Sequence, residues 1–369
     1  MITQLHRLPP TPPPPAPPLR VYVPSAASAE PATGPRARPL RYLAALAFGL
    51  VAAVVGSYVL VEALELRFVQ PWRLDHHHKV RFFQVEVLDP AIVYLGTSQM
   101  LNGVMPAVVA EAAQTAGRPL ANVGYNLAVP GAELEISWIL ARDLLHGVHR
   151  PRHLVLGVFP MILAGGQQWA PDFYHRYATL GDVAARAWAG DVPWSQVASV
   201  GLRGVENLLQ WPFYRFKKPI RDFNWTHLRA SHGGTWLPSE AEREPELKDE
   251  LWAKVQADIE QCDTRALTFH DATPAAELLR RFAALARERE MTLTLVYPPQ
   301  RTGQPAFEGR CQTWLADFCA RQGLTWIDLD VPEFERADFT DPYHLNARGA
   351  AQFSRRLGAR LAERLVLAR

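Results

Sequence analysis

Cysteine is scarce in this chain. The three copies, Cys262, Cys311 and Cys319 among 369 residues, show no Cys-x-x-Cys spacing, which argues against a zinc ribbon or a dithiol redox site. An exported domain could join two of them in a disulfide and leave one thiol, or all three could be small buried hydrophobes; the spacing does not choose. An excess of charge of one sign is also missing. With 39 basic and 37 acidic residues the formal charge is +2, so there is no electrostatic reason to expect a nucleic-acid partner. Metal-ligand clusters are lacking too. His76-His77-His78 is a histidine run, but adjacent residues do not converge on one ion and no carboxylate or cysteine cluster surrounds them. They read as interfacial histidines, and neither a metal nor a cofactor is expected.

Proline and long apolar runs are present, and they divide the chain. Residues 1–40 hold 12 prolines and few large apolar side chains, the composition of a disordered, partly polyproline II tail. Tyr42 to Val61 is then 20 residues without a charge, the length needed to cross about 30 Å of hydrocarbon. Arg36, Arg38 and Arg41 precede this run, and Glu62 and Glu65 follow it. By the positive-inside rule the tail is cytoplasmic, the run is a transmembrane helix, and the rest faces outward, in a bacterium the periplasm or outer face of the inner membrane. Residues 66–90 then serve as a juxtamembrane linker to a domain spanning 91–369.

That domain alternates strands and helices. Strands are expected at 91–95, 121–127, 153–159, 292–297 and 325–329, and helices at 105–116, 131–145, 274–290, 307–322 and 347–365. The third, 153–159, is apolar along nearly its whole length, as a parallel strand covered on both faces should be. The alternation predicts βαβ units and an α/β, flavodoxin-like three-layer sandwich around a parallel sheet. Between about 160 and 270 the rhythm stops. This insertion carries Trp169, Trp188, Trp194, Trp211, Trp225 and Trp236, the basic cluster Arg215-Phe216-Lys217-Lys218, and the turn-like Ser231-His232-Gly233-Gly234. Its aromatics suit a sugar-binding cleft, a membrane interface or a local core.

Two short stretches carry chemistry. The strand 91–95 breaks at Gly96-Thr97-Ser98 before a segment of helical period, which holds a serine at the carboxyl end of a central strand and beside a helix N-terminus. Some 240 residues on, Asp341-Pro342-Tyr343-His344 places a carboxylate three residues ahead of an imidazole. That spacing lets the carboxylate accept from Nδ1–H while Nε2 faces a nucleophile. Each alone is an ordinary helix cap or Asx turn. Together, on one edge of one sheet, they point to a Ser98–His344–Asp341 triad.

These residues resemble the SGNH (GDSL-like) hydrolases. Leu95-Gly96-Thr97-Ser98 is similar to the family's first block, Asn126-Leu127-Ala128-Val129-Pro130-Gly131-Ala132 to its glycine block, and Asp341-Pro342-Tyr343-His344-Leu345-Asn346 to its Asp-x-x-His block. The resemblance implies Ser98 as nucleophile, His344 as base, Asp341 as its orienter and Gly131 as a backbone oxyanion donor. The family's third block, Gly-x-Asn-Asp, has no counterpart in Leu156-Gly157-Val158-Phe159-Pro160. Loss of that side-chain donor is worth about 3 kcal/mol of transition-state stabilisation unless another replaces it; Asn102 and Asn126 are the candidates, with Asn126 the one expected to pin its own loop instead. With an outward-facing anchor, the chain resembles the DltD-like and AlgJ/AlgX-like proteins of envelope acyl transfer. That implies a serine acyltransferase or esterase, an acetyl-like group moved to or from a cell-envelope glycan or an acyl-carrier substrate, and a multi-span O-acyltransferase as membrane partner. The alternatives are a plain esterase and a catalytically silent scaffold that binds glycan or an assembly partner.

Overall fold

The computed structural model describes residues 37–63, 75–131, 134–164, 178–190, 192–202, 205, 225–241, 249–261, 264–265, 267–329 and 334–364. The proline-rich tail before residue 37, Cys262 and the basic cluster at 215–218 lie outside the described residues. The chain divides into two units, Met1–Ala52 and Ala53–Arg369. Helix α1 (Ala37–Ala63) contains the whole uncharged run, and its Tyr42, Leu43, Leu46, Phe48, Leu50 and Val51 are exposed. Among the described residues no helix is long and apolar enough to cross a membrane. In α1 the described side chains run unbroken only from Arg41 to Ser57, short of the ~20 residues a span needs.

Helix α2 (Asp75–Glu86) lies inside the stretch expected to be linker. Its Val80, Phe82 and Phe83 are buried, and the Phe83 ring meets that of Tyr125 at 5.4 Å, so α2 belongs to the core rather than to a tether. The side chains of His76, His77 and His78 lie outside the described residues.

The expected α/β architecture is present. Strands β1 (Ile92–Leu95), β2 (Tyr125–Asn126), β3 (His153–Gly157), β4 (Thr292–Tyr297) and β5 (Thr325–Asp328) form one sheet in the order β2-β1-β3-β4-β5. Every pairing is parallel, with Tyr94 opposite both Asn126 and Val155, and Leu295 opposite both Leu156 and Trp326. The sheet reverses direction beside β1, which makes the carboxyl end of β1 the switch point where ligands bind in open α/β sheets.

The helices are α3 (Ser98–Gly103), α4 (Pro106–Thr115), α5 (Leu134–Leu144), α6 (Leu180–Ala189), α7 (Asp249–Glu260), α8 (Pro274–Glu288), α9 (Pro305–Gln322) and α10 (Ala347–Arg364), with shorter turns between. Strand alternation sorts the core into two layers. Val93, Leu95, Leu154, Leu156 and Leu295 pack with Ile139 and Leu140 of α5, Leu279 and Phe282 of α8, and Leu315 and Phe318 of α9. Ile92, Tyr94, Val155, Val296 and Ile327 pack on the other face with Val108 and Val109 of α4 and Phe353, Leu357 and Leu361 of α10. Helices on both faces of a parallel sheet are compatible with the three-layer sandwich read from the sequence.

Local signals explain the elements that matter most. Thr273 caps α8 by accepting from Ala276 N at 3.1 Å, Pro274 opens its first turn, and Leu278, Leu279, Phe282 and Ala286 repeat along one buried stripe. Gly323 ends α9 in a left-handed cap at φ 64°. The last helix carries the chain back from β5, at the far edge, toward β1. Ser354 Oγ of α10 donates to Gly103 O at 3.2 Å and accepts from Met105 N at 2.8 Å. Gly358 lies so close to α4 that a Cβ there would sit 2.4 Å from Val109 O. These contacts fix α10 against α3 and α4, and so fix the loop just before α10.

Candidate active site

Ser98 opens α3 directly after β1. Gly96 makes the turn at φ 139°, and a side chain at that position would meet Met100 Cγ at 2.7 Å, so glycine is required twice over. Thr97 is the N-cap, accepting from Gln99 N at 3.3 Å. Met100 anchors α3 by filling the space over Gly157 of β3, where a Cβ would lie 2.0 Å from Met100 Cγ. The glycine opening the absent third block therefore serves packing here, and the position two residues on is the half-buried Phe159.

Asp341 and His344 do not sit in a bare loop, as the sequence suggested. They lie on a short antiparallel ladder, β6 (Phe339–Asp341) and β7 (His344–Leu345), in which they are register partners. The carboxylate is buried and the imidazole half-buried. His344 Nδ1 donates to Asp341 Oδ2 at 2.7 Å and Oδ1 at 2.9 Å. Asp341 Oδ1 also accepts from Tyr343 N at 2.9 Å and His344 N at 3.1 Å. Burial pushes this carboxyl's pKa up, but the His344 side-chain bond and the two backbone donors outweigh it and hold it below the ordinary carboxylate value. An ionised Asp341 fixes the Nδ1–H tautomer, leaving Nε2 as acceptor. Ser98 Oγ lies 2.7 Å from that Nε2. A serine hydroxyl, an imidazole acceptor and a buried anion in series can transfer the hydroxyl proton as Oγ attacks a carbonyl carbon.

The side of Ser98 facing β2 is built differently. Leu127 N donates to Tyr94 O at 2.8 Å and Val129 N to Gly96 O at 3.1 Å, so the loop after β2 continues beside β1 and its exit. Gly131 follows, exposed and left-handed at φ 64°. Asn126 is fully buried, and its Nδ2 donates to Met100 O at 2.9 Å and Val104 O at 3.1 Å. Its Oδ1 accepts from Ala128 N at 3.1 Å. Both ends of the amide are occupied in holding α3 to β2, so Asn126 does not serve as the oxyanion donor considered from sequence. Asn102 remains open. Its Oδ1 accepts from Thr235 Oγ1 at 2.7 Å, while among the described residues Nδ2 has no acceptor. Asn102 is half-buried and stands one helical turn after Ser98 on the same face of α3.

Sequence reasoning missed several contributors. Lys79 of α2 is buried and donates through Nζ to Ala128 O at 2.5 Å; nothing about a lysine after three histidines marks it. Thr235 was adjacent to a recognised turn, but its bond to Asn102 joins positions 133 residues apart. Gln99 Nε2 donates to Gln300 Oε1 at 3.3 Å, and Gln300 in turn bonds the Tyr297 hydroxyl. Next to Gln300, Arg301 donates from its backbone N to Pro342 O at 2.8 Å and from Nη1 to Phe334 O at 3.0 Å. The exit of β4 thus braces both the nucleophile helix and the Asp–His ladder. Cys311 and Cys319 are free and buried in α9, and Cys262 lies outside the described residues. No group of side chains able to hold a metal ion occurs among the described residues.

With that geometry in hand, the chain was compared with known proteins. It matches no protein-family model, and no curated protein is a match. The functional reading therefore rests on the site itself.

Proposed function

We propose that the protein is a membrane-anchored SGNH-type serine acyltransferase or esterase that moves an acetyl-like group to or from a cell-envelope polysaccharide. The observation that carries this is the continuous relay Ser98 Oγ to His344 Nε2 at 2.7 Å and His344 Nδ1 to Asp341 Oδ2 at 2.7 Å. In the first half-reaction, Ser98 Oγ attacks the acyl carbonyl, its proton passes to His344, and the imidazolium returns that proton to the departing group. In the second, a sugar hydroxyl or water attacks the acyl-serine and gives its proton to His344, and the imidazolium passes it to Oγ as the Oγ–acyl bond breaks. The developing oxyanion is assigned to the N–H groups of Ser98 and Gly131. Asn102 Nδ2 is the one remaining side-chain candidate to replace the missing third-block amide.

The anchor belongs to the same proposal. Its support is the 20-residue uncharged run Tyr42–Val61 with arginines before and glutamates after it. That orientation puts the site on the outer side of a bacterial inner membrane, where a multi-span O-acyltransferase would supply the acyl group. The missing third-block amide favours a second reading, a silent scaffold that binds glycan or an assembly partner. Full-length protein in nanodiscs, mixed with an activated acetyl ester and followed by intact mass, separates them. A +acetyl adduct lost in Ser98→Ala, and released faster by an oligosaccharide than by water, is the transferase outcome. Release to water alone is the esterase outcome. Absence of any Ser98-dependent adduct overturns the enzyme reading.

A further inference from the structure

Helix α6 buries Val183 and Ala187 against the core, and its outer face carries no charge. Its charged residues are turned to the protein: Asp182 pairs with Arg142 of α5 at 2.7 Å and Arg186 with Glu135 of α5 at 3.7 Å. Its outward position is taken by Trp188, 85% exposed. The next stretch, 192–202, has no charged residue and is helical over 194–202. There Trp194 is 56% exposed and Leu202 59%. The two indoles meet edge-to-face at 6.4 Å, each supporting the other outside the core. Scattered exposed hydrophobes are ordinary, but here Trp188, at the end of α6, packs on Trp194, and Trp194 and Leu202 stand on one helix without a charge; such a grouping marks a contact surface.

The occupant follows from what this patch adjoins. A Cβ on Gly201 would sit 3.1 Å from Val54 Cγ1, so the 194–202 helix lies against α1. Val54 and Ser57 are the half-buried positions on a stretch of α1 whose other described side chains from Arg41 to Leu60 are exposed. Val54 lies seven residues before the end of the uncharged run at Val61, which at helical rise is ~10 Å inside its outer boundary. If α1 crosses a bilayer, Gly201 and Leu202 are at acyl-chain depth in the outer leaflet. Trp194 is seven residues from Gly201, ~10 Å along a helix, and Trp188 packs on it; with that helix pointing outward, both indoles sit at headgroup level, where their apolar ring and N–H are both satisfied.

We propose that α6 and the 194–202 helix form a lipid-facing platform, a second membrane contact that seats the domain on the outer leaflet. The platform rests on the reading of α1 as a membrane anchor, so its test must read both. The full chain carries Cys262→Ser, since Cys311 and Cys319 are buried, and single sites Trp188→Cys, Leu202→Cys, Val51→Cys and Lys254→Cys are nitroxide-labelled. Each is reconstituted in phosphatidylethanolamine and phosphatidylglycerol vesicles, and collision rates with oxygen and with a soluble nickel chelate are measured. The platform predicts an oxygen-to-nickel ratio at 202 severalfold above that at Lys254 and close to that at Val51, with 188 between. Aqueous ratios at 188 and 202 with a lipid ratio at Val51 overturn the platform and leave the anchor. Low collision with both reagents at 188 and 202 overturns it in favour of a covering protein, a second copy or a partner. An aqueous ratio at Val51 overturns the anchor and the platform together.

Discussion

The two sides of Ser98 are constructed on different principles. On the base side, Asp341 and His344 are register partners of a two-strand ladder three residues apart, and their hydrogen bonds are almost all made within that short segment. On the side facing β2, a two-residue edge strand and the loop after it are held by groups that include distant parts of the chain. An edge strand leaves its outer N–H and C=O groups unpaired. Here Asn126 N donates to His232 O at 2.8 Å, Ala128 N to Asn126 Oδ1 at 3.1 Å, and Lys79 Nζ to Ala128 O at 2.5 Å. The 231–234 turn and helix α2 thus complete what the sheet leaves unfinished. The base side is a local motif; the oxyanion side is an assembly.

The most severe way to test that contrast is to damage the local motif. Asp341→Asn keeps the ladder's shape but removes the anion that fixes the Nδ1–H tautomer, and is expected to lower the rate of Ser98 acylation about 10⁴-fold. His344→Gln should cost at least as much, and both should leave thermal stability within about 1 kcal/mol of the parent, because each replacement keeps the shape and the Asn Oδ1 still accepts from Tyr343 N and His344 N. The check is acetyl-adduct formation by intact mass alongside a thermal melt. Near-parental acylation in Asp341→Asn would remove the triad from the mechanism.

Asn126 separates the two constructions more finely. As a pin it holds two buried carbonyls of α3 and one buried N–H of the β2 loop. Asn126→Ala should therefore destabilise the fold by about 2–4 kcal/mol, through lost bonds and stranded partners. A lower unfolding midpoint in urea is the expected observation. If instead stability holds and only acylation falls, Asn126 is an oxyanion donor after all and the pin is secondary.

A smaller effect is expected one turn further along α3. Thr235 Oγ1 orients the Asn102 amide by donating to its Oδ1, which leaves Nδ2 as the donor available to substrate. Asn102→Ala should slow acylation roughly tenfold or more, and Thr235→Val about three- to tenfold, the range of one hydrogen bond. The double variant should be little worse than Asn102→Ala, because Thr235 acts through Asn102. Additive losses in a double-mutant cycle would show the two acting separately.

The same contrast explains what the sequence made legible. Strands β1, β3 and β4 were readable as short apolar runs, β2 and β5 from their place in the strand–helix alternation, and α8 because its stripe recurs at helical spacing. Asp341 and His344 were readable because three residues separate them, and Ser98 because Gly96 breaks a strand ahead of it. The Asn126 amide was harder: whether it faces an oxyanion or the carbonyls of Met100 and Val104 depends on where α3 ends in space. Lys79 and Thr235 left no trace, since their partners are 49 and 133 residues away and no periodicity encodes such pairs. Helix α2 was hidden by a mixed pattern of histidines and charges in which Val80, Phe82 and Phe83 turn inward beside a buried Lys79.

Lys79 offers the mildest test, and one with a definite sign. Burial lowers its pKa well below the ordinary lysine value, while in the unfolded chain the amine titrates near 10.4. A folded pKa below the unfolded one means the unfolded state binds the extra proton between those two values. Stability tied to this group is then fully present above about pH 10 and declines as pH falls toward the folded pKa. Lys79→Met removes the titration while keeping the apolar stem. The parent's urea midpoint should therefore rise more between pH 7.5 and 9.5 than that of Lys79→Met, and the difference should narrow once both are measured at the higher pH. Identical slopes would mean that the ammonium reaches water in the folded protein. Lys79 would then be no part of what closes the sheet edge, and the oxyanion side would rest on Asn126 and the His232 turn alone.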